Sequence, residues 1–256
     1  MFVDSHCHLE LEEYDDDRSE VIARALHADV SRMVTVATEE RYFARALEIA
    51  ETHHEVYVAL GVHPHNSADY SDALEERIKG YLGHPRIVGY GEIGLDFYRD
   101  YAPRDVQANA FRRQIEVART AGLPIIVHSR NAKEETLEIL IDANLRDHKI
   151  IIHCYSYDLE TAKKMLDMGF FLSIPGTVTY KNSTLGDIVR YVPADRLLSE
   201  TDAPFLSPQP FRGKRNEPAH VRLVAEKIAR IKQISIDEMS RLLADTFARI
   251  FLAGEE

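Results

Sequence analysis

His6 and His8 stand at the end of the run Phe2-Val3-Asp4-Ser5. In an extended strand residues i and i+2 point to one side, so both imidazoles can reach the same ion. Neutral imidazole is the commonest nitrogen ligand for zinc, manganese, iron or cobalt. Imidazoles and carboxylates recur at the ends of apolar runs downstream: Gly61-Val62-His63-Pro64-His65, Gly91-Glu92-Ile93-Gly94-Leu95-Asp96, His128, His153 and Glu200-Thr201-Asp202. Taken singly, a strand-end histidine is more often a hydrogen-bonded residue than a ligand. That reading does not explain the recurrence, because ionisable groups are seldom buried without a partner. His6, His8, Glu92, His128, His153 and Asp202 are too many ligands for one four-coordinate ion. They suit two divalent ions about 3.5–4 Å apart with a carboxylate bridge. Glu92, preceded by Gly91 and without a basic neighbour, is the best bridge. Such a pair activates water, neutralises a phosphoryl oxygen and lines up the attack. The imidazole share favours zinc or manganese, whereas magnesium prefers oxygen and keeps its waters; the residues leave that choice open.

The elements that must position these groups alternate along the chain. Strand-like apolar runs fall at 2–6, 33–37, 56–61, 87–92, 124–128, 149–153, 170–174 and 197–202. They are apolar or β-branched throughout, as parallel strands covered on both faces are. Amphipathic helical patterns lie between them at 18–27, 42–52, 72–81, 106–121, 133–144, 159–168 and 183–191, and two more follow at 217–231 and 236–252. Eight strands alternating with helices predict an α/β fold, a (β/α)8 TIM-like barrel with additional C-terminal helices, rather than an open doubly wound sheet. No Gly-x-Gly-x-x-Gly follows the first strand, which counts against a dinucleotide-binding sheet. The 256 residues match the usual size of one barrel and show no linker, so 1–256 reads as a single domain. A barrel builds its active site at the strand C-terminal ends, where the ligand residues fall.

The formal net charge of −11 argues against a protein that holds nucleic acid by broad electrostatics. It leaves room for a phosphate-bearing substrate held by metal ions and a few local cations. Arg212-Gly213-Lys214-Arg215 follows the eighth strand, where barrel loops often bind phosphate, so Arg212, Lys214 and Arg215 are substrate-binding candidates. Arg99, Arg104 and Arg130 are weaker versions of the same idea, and Tyr98, Tyr155 and Phe205 offer faces on which bases could stack. His63 and His65 flank a proline at the third strand's end. They could donate to a phosphate oxygen or form a rigid turn with solvated rings, and the placement favours a functional His63. Asp96 and Glu200 are candidates for orienting the ligands. The acidic run Glu10-Leu11-Glu12-Glu13-Tyr14-Asp15-Asp16-Asp17 reads as a solvated loop. Cys7 and Cys154, the only cysteines, read as small buried hydrophobes and fit a reducing cytoplasm. No membrane span, secretory signal or obligate protein partner is expected.

Asp4-Ser5-His6-Cys7-His8, Gly61-Val62-His63-Pro64-His65, Gly91-Glu92-Ile93-Gly94-Leu95-Asp96-Phe97, His128-Ser129-Arg130, His153-Cys154, Glu200-Thr201-Asp202-Ala203-Pro204 and Pro210-Phe211-Arg212-Gly213-Lys214-Arg215-Asn216-Glu217-Pro218 form a specific set over nearly the whole chain. In that order and spacing the chain resembles the TatD-type deoxyribonucleases of the metal-dependent hydrolase superfamily. The resemblance implies a TIM-like barrel with two metals, His6, His8, Glu92 and Asp202 on one and Glu92, His128 and His153 on the other. It implies Asp202 as the group that takes a proton from the attacking water, and DNA as a transient substrate. The catalytic set is then Asp202, Glu92 and His63; cleavage is expected from an end and on single strands, and the acidic charge fits a nuclease that turns over and releases instead of one that clamps duplex. Tyr157 departs from the glycine common in relatives and touches the loop after the sixth strand. Hydrolases of small cyclic amides, esters or phosphotriesters often bridge their metals with a carboxylated lysine on the fourth strand, and residues 88–97 hold no lysine. An aminoacyl-tRNA deacylase is a further alternative. A metal-binding scaffold that has lost activity fits poorly, because no expected ligand is missing.

Overall fold

The structure, a computed structural model, describes residues 1–145 and 148–253. Residues 146–147 and 254–256 of the expected single domain lie outside the described residues. Eight parallel strands form one sheet in chain order: β1 (Phe2–Cys7), β2 (Val30–Ala37), β3 (Val56–Leu60), β4 (Ile87–Asp96), β5 (Ile125–Arg130), β6 (Ile150–Ile152), β7 (Phe171–Ile174) and β8 (Leu197–Ser199). Helices α1 (Arg18–His27), α2 (Glu40–Thr52), α3 (Asp72–Tyr81), α4 (Arg104–Ala121), α5 (Lys133–Asp142), α6 (Leu159–Asp167) and α7 (Leu185–Tyr191) alternate with the strands, and α8 (Val221–Lys232) and α9 (Ile236–Phe251) follow. This is the expected barrel with extra C-terminal helices. Strands β1, β3, β4, β6, β7 and β8 are buried at every residue, which is why the runs carry no polar alternation.

The seam between β8 and β1 is closed by few backbone bonds. Cys7 and Ala203 form an isolated parallel bridge, the His8 amide donates to the Ala203 carbonyl at 2.8 Å, and the Asp202 amide donates to the His6 carbonyl at 2.9 Å. Side chains supply the rest. Ser199 Oγ donates to the Val3 carbonyl at 3.0 Å, and the buried Asp4 carboxyl accepts the Thr201 amide at 2.9 Å and the Thr201 hydroxyl. These bonds bring the His6/His8 end of the sheet against Asp202.

Boundaries differ from the sequence expectation where the site lies. The fourth strand runs to Asp96 instead of stopping at Glu92. Its pairing with β5 slips between Gly91 and Ile93, leaving Glu92 as an extra residue, and then resumes to Asp96 opposite Arg130. Such a bulge re-aims a side chain without ending the strand. Gly94, at φ +147°, lies so close to β5 that an added Cβ would sit 1.9 Å from the His128 carbonyl oxygen. A glycine there is what allows β4 to continue past Glu92. The eighth strand ends at Ser199, and Asp202 stands beyond it in left-handed backbone at φ +55°. The helix expected from 217 starts at Val221 after a single 3-10 turn, Pro218–His220.

Candidate metal centre

Glu92 stands in the middle of the site and its two oxygens face opposite ways. On one side His6 Nε2 lies 3.3 Å from Glu92 Oε2, 3.3 Å from His8 Nε2 and 3.8 Å from Asp202 Oδ1, and His8 Nε2 lies 3.4 Å from Asp202 Oδ1. On the other, Glu92 Oε1 meets His128 Nδ1, His153 Nε2 at 3.4 Å and His63 Nε2 at 3.6 Å. His153 lies between the two halves, its Nε2 also 3.9 Å from Asp202 Oδ1 and its ring stacked 3.6 Å from that of His6. All six expected ligands are thus brought together, and His63 joins them.

A separate partner orients most of these rings. His8 Nδ1 donates to the Val36 carbonyl at 2.8 Å, leaving Nε2 for the site. His153 Nδ1 donates to Glu200 Oε2 at 3.0 Å, and the other Glu200 oxygen accepts the Cys154 amide at 2.8 Å. His128 is turned the other way: Nε2 donates to Asp96 Oδ2 at 3.2 Å, so Nδ1 faces Glu92. Asp96 Oδ1 in turn accepts the Tyr98 and Arg99 amides, both at 2.9 Å. Outer partners of this kind fix the tautomer and raise ligand basicity. Among the described residues His6 Nδ1 is buried without a partner.

The protonation pattern follows from this crowding. Burial alone would push Glu92 up, but the His153 and His128 imidazoles hold it well below the usual carboxylate range. Asp202 is also lowered, burial being outweighed by the hydrogen bond from His8. Burial opposes the charge on His153, yet Glu200 and Glu92 push that ring up to about 10. His8 and His128 are raised too, against burial, by Asp202 and Glu10 and by Glu92 and Asp96 respectively. His6 and His63 go down, chiefly through burial and then through the neighbouring His153 and His128. Ionised carboxylates therefore face charged His8, His128 and His153 rings, while His6 and His63 stay neutral.

Those residues fit divalent metal. Metal–ligand bonds of about 2.0–2.2 Å put tetrahedral neighbours roughly 3.3–3.6 Å apart. The donor spacings from His6 to His8 and Glu92, from His8 to Asp202, and from Glu92 Oε1 to His153 and His63 fall in that interval, whereas His128 Nδ1 meets Glu92 Oε1 more closely, as a hydrogen bond. Two imidazole nitrogens pointed at each other at 3.3 Å cannot both carry a proton comfortably. A shared cation relieves that clash and neutralises the buried carboxylates together.

Other sequence candidates divide. His65 stays outside the ligand cluster; it donates from Nε2 to Asp96 Oδ2 at 3.0 Å, the carboxylate oxygen that also accepts from His128, and packs edge-on against the His63 ring. Arg215 turns away from the rim. Its guanidinium pairs with Asp17 at 2.7 Å, donates to the Glu13 carbonyl and lies over the Tyr14 ring. Arg212 lies over Tyr180, and Lys214 carries no carboxylate within 4.0 Å among the described residues. Arg104 pairs with Asp100, whereas the Arg130 and Arg99 guanidiniums lie 4.0 Å and 5.5 Å from the centroid of the exposed Tyr98 ring. Phe205 is half-exposed beside His8, and Tyr155 is buried with its hydroxyl donating to the Asp158 carbonyl. Tyr157 ties the loops after β5 and β6, its hydroxyl meeting Ser129 Oγ at 2.8 Å and accepting the Ala132 amide. Cys7 is buried as expected; Cys154 is only partly so and lies within ligand reach of His153 and Glu200.

The acidic run is solvated as expected at Glu12, Glu13, Asp15 and Asp16, but not at two of its other residues. Glu10 and Tyr14 are completely buried. Glu10 sits 3.4 Å from His8 Nδ1 and accepts the Thr35 hydroxyl. Only its place two residues after His8 could have flagged it, and the chain turns at Leu9–Glu10 instead of continuing the strand. Gln107 was also missed. It accepts the Asp96 amide at 2.8 Å and donates to the Asp96 carbonyl, and a glutamine within a helical pattern carries no sign of that.

A family model described as TatD related DNase matches residues 3–252. The chain belongs to this family. YabD of Bacillus subtilis (strain 168), described as an uncharacterized metal-dependent hydrolase, is 40% identical over 252 residues, spanning 98% of this chain and 99% of its own. YcfH of Escherichia coli (strain K12), with the same description, is 40% identical over 255 residues, 98% of this chain and 96% of its own. The crystal structure of YjjV, a TatD homolog from Escherichia coli K12, superposes with a TM-score of 0.92 at 30% identity over 98% of both chains. A TatD family hydrolase from Entamoeba histolytica shares the fold with a TM-score of 0.88 at 21% identity, over 98% of this chain and 97% of its own. This member of the TatD family is a metal-dependent hydrolase. No helix among the described residues is long and apolar enough to cross a membrane.

Proposed function

We propose that this chain is a two-metal deoxyribonuclease that hydrolyses phosphodiester bonds of DNA, working from an end and preferring single strands. The observation that carries the two-metal reading is the division of Glu92, one oxygen toward His6 and the other toward His128 and His153. His6, His8, Glu92 and Asp202 would hold one ion and Glu92, His128 and His153 the other, with His63 able to complete the second set. Zinc, manganese or magnesium bound there would polarise the attacking water and neutralise charge on the phosphoryl oxygens.

Asp202 takes the proton from that water. Its side chain is 14% exposed against 4% for Glu92, so of these two carboxylates it is the better reached from solvent. The hydrogen bond from His8 keeps it ionised and able to accept. His63, neutral because it is buried, can donate to a phosphoryl oxygen from Nε2 if it is not a ligand. Glu200 and Asp96 hold His153 and His128 in their productive tautomers. The exposed rings of Tyr98, Tyr101 and Phe205 support a substrate with stackable bases. Two cysteines without a disulfide support a reducing, cytoplasmic setting.

The test is a metal-by-substrate screen of chelator-treated protein reloaded with zinc, manganese or magnesium. Substrates are end-labelled single- and double-stranded DNA, RNA, small esters and an aminoacyl-tRNA. Metal-dependent stepwise shortening of single-stranded DNA is the expected result. Hydrolysis confined to small esters or to the aminoacyl bond would refute the nuclease reading and leave the hydrolase assignment standing.

A further inference from the structure

A cavity of about 360 Å³ lies at the ends of β6, β7 and β8. Tyr155 and Ser156 line it from the loop after β6, Lys181 and Asn182 from the loop after β7, and Gln209 and Arg212 from the loop after β8. The β6 and β8 ends also carry His153 and Asp202, so two of the three loops that line the cavity follow two of the six candidate ligands. We infer that this cavity is a subsite for a phosphate of the nucleic-acid strand, next to the one cleaved; the inference rests on the nuclease reading above.

The lining is what an anion requires. It holds two cations and no aspartate or glutamate, in a chain of net charge −11. Neither Lys181 nor Arg212 has a carboxylate within 4.0 Å among the described residues, in contrast to Arg215 a few residues on, which is paired with Asp17. Their charge is therefore not offset by a protein carboxylate. Ser156, Asn182 and Gln209 add neutral donors. The guanidinium of Arg212 is held over the Tyr180 ring at 4.6 Å, and the Tyr180 hydroxyl is fixed by donating to the Ser207 carbonyl at 2.9 Å. Stacking of this kind presents the planar donor fork while leaving its edge for a phosphate.

The two loops that carry these cations are locked together. The Gln209 amide donates to Thr179 Oγ1 at 2.9 Å, and Gly176 fits so closely that an added Cβ would come within 2.5 Å of the Leu206 carbonyl oxygen. The cavity is therefore a fixed feature of the rim. Its volume lies at the lower end of the range for small-ligand pockets, about 300–1,000 Å³, which suits one nucleotide unit rather than a duplex. The phosphate could be an internal diester or the terminal monoester of the strand, and both present the same oxygens to Lys181 and Arg212.

Lys181→Ala and Arg212→Ala test this in the metal-loaded protein, with kcat and KM measured on a single-stranded oligonucleotide and on bis(p-nitrophenyl) phosphate. Selectivity for the oligonucleotide over the small diester should fall about tenfold or more in each variant, through KM, the weight of one charge-assisted hydrogen bond. The salt dependence of oligonucleotide binding should flatten by about 0.7 in log–log slope per contact removed. Oligonucleotides with and without a terminal phosphate separate the two sources: dependence on that group marks the monoester, independence the internal diester, and either supports the subsite. Unchanged oligonucleotide KM in both variants, or an equal loss on both substrates, overturns it. A wild-type protein that hydrolyses the small diester but no DNA removes the nuclease reading and the subsite with it. Wild-type DNA cleavage with unaffected variants removes the subsite alone.

Discussion

Glu200→Gln should weaken metal binding without unfolding the protein, and the size of the loss can be worked from two hydrogen bonds. Glu200 is fully buried and accepts from both His153 Nδ1 at 3.0 Å and the Cys154 amide at 2.8 Å. Both partners are donors, so a carboxylate satisfies both and a carboxamide of the same shape cannot. If glutamine keeps its oxygen on the Cys154 amide, its NH2 meets Nδ1. The ring must then carry its proton on Nε2, the nitrogen that faces Glu92 at 3.4 Å. If the oxygen stays on His153, the NH2 opposes a buried amide at a cost of about 1–3 kcal/mol. The lost charge also lets His153 fall from about 10, making it a poorer base and a poorer ligand. Loss of such an outer partner typically costs about 10–100-fold in metal affinity, or roughly 1.4–2.7 kcal/mol. The assay is titration of chelator-treated protein with zinc or manganese against a chromophoric competitor, with imidazole NMR to follow the His153 tautomer and far-UV circular dichroism to confirm the fold. Wild-type affinity for every bound ion, with the tautomer unchanged, would show that Glu200 does not position this ligand.

Three further outcomes are expected. Gly94→Ala places a methyl 1.9 Å from the His128 carbonyl oxygen, so β4 and β5 must separate by about an ångström or more. The result should be a loss of about 3 kcal/mol or more in a denaturant titration together with loss of bound metal; a stable, metal-replete variant contradicts the close approach. Asp202→Asn should cut hydrolysis by at least about 10²–10⁴-fold while leaving the fold intact, since the proton acceptor is gone, and near wild-type turnover would remove Asp202 from that role. Metal binding at neutral pH should release protons. The His153 proton is held below about 10, and the raised His8 and His128 rings keep theirs as well, until coordination displaces them. Calorimetry should therefore give a binding enthalpy that varies with the ionisation enthalpy of the buffer and a stoichiometry near two; a buffer-independent enthalpy or saturation at one ion speaks against the scheme.

Much of this protein was legible in its sequence. The alternation of apolar runs with amphipathic helical patterns was enough for the barrel, because both periods are local properties of the chain. Ligand types were legible as well, since imidazoles and carboxylates at strand ends are conspicuous against uniformly apolar runs. The expectations that failed concern partners distant in sequence. Glu10 looked like part of a solvated acidic loop, and it is buried against His8 and Thr35. Arg215 looked like a rim cation, and Asp17, 198 residues away, holds it elsewhere. Glu92 looked like the end of its strand, and a slip in pairing with β5 makes it a bulge within a longer one.

By itself the sequence determined which side chains could bind metal, in what order the strands present them, and at which end of the barrel. Only the tertiary structure decided that Glu92 turns one oxygen to each group of ligands, that His8 and His153 use Nε2 while His128 uses Nδ1, and that Asp202 meets His8 across the β8–β1 seam. The physical reason is that periodicity assigns a residue to a face of its own element. Which atom faces which across the barrel depends instead on strand register, on a backbone approach that only glycine permits at position 94, and on the closure of the sheet through Asp4, Ser199 and Thr201.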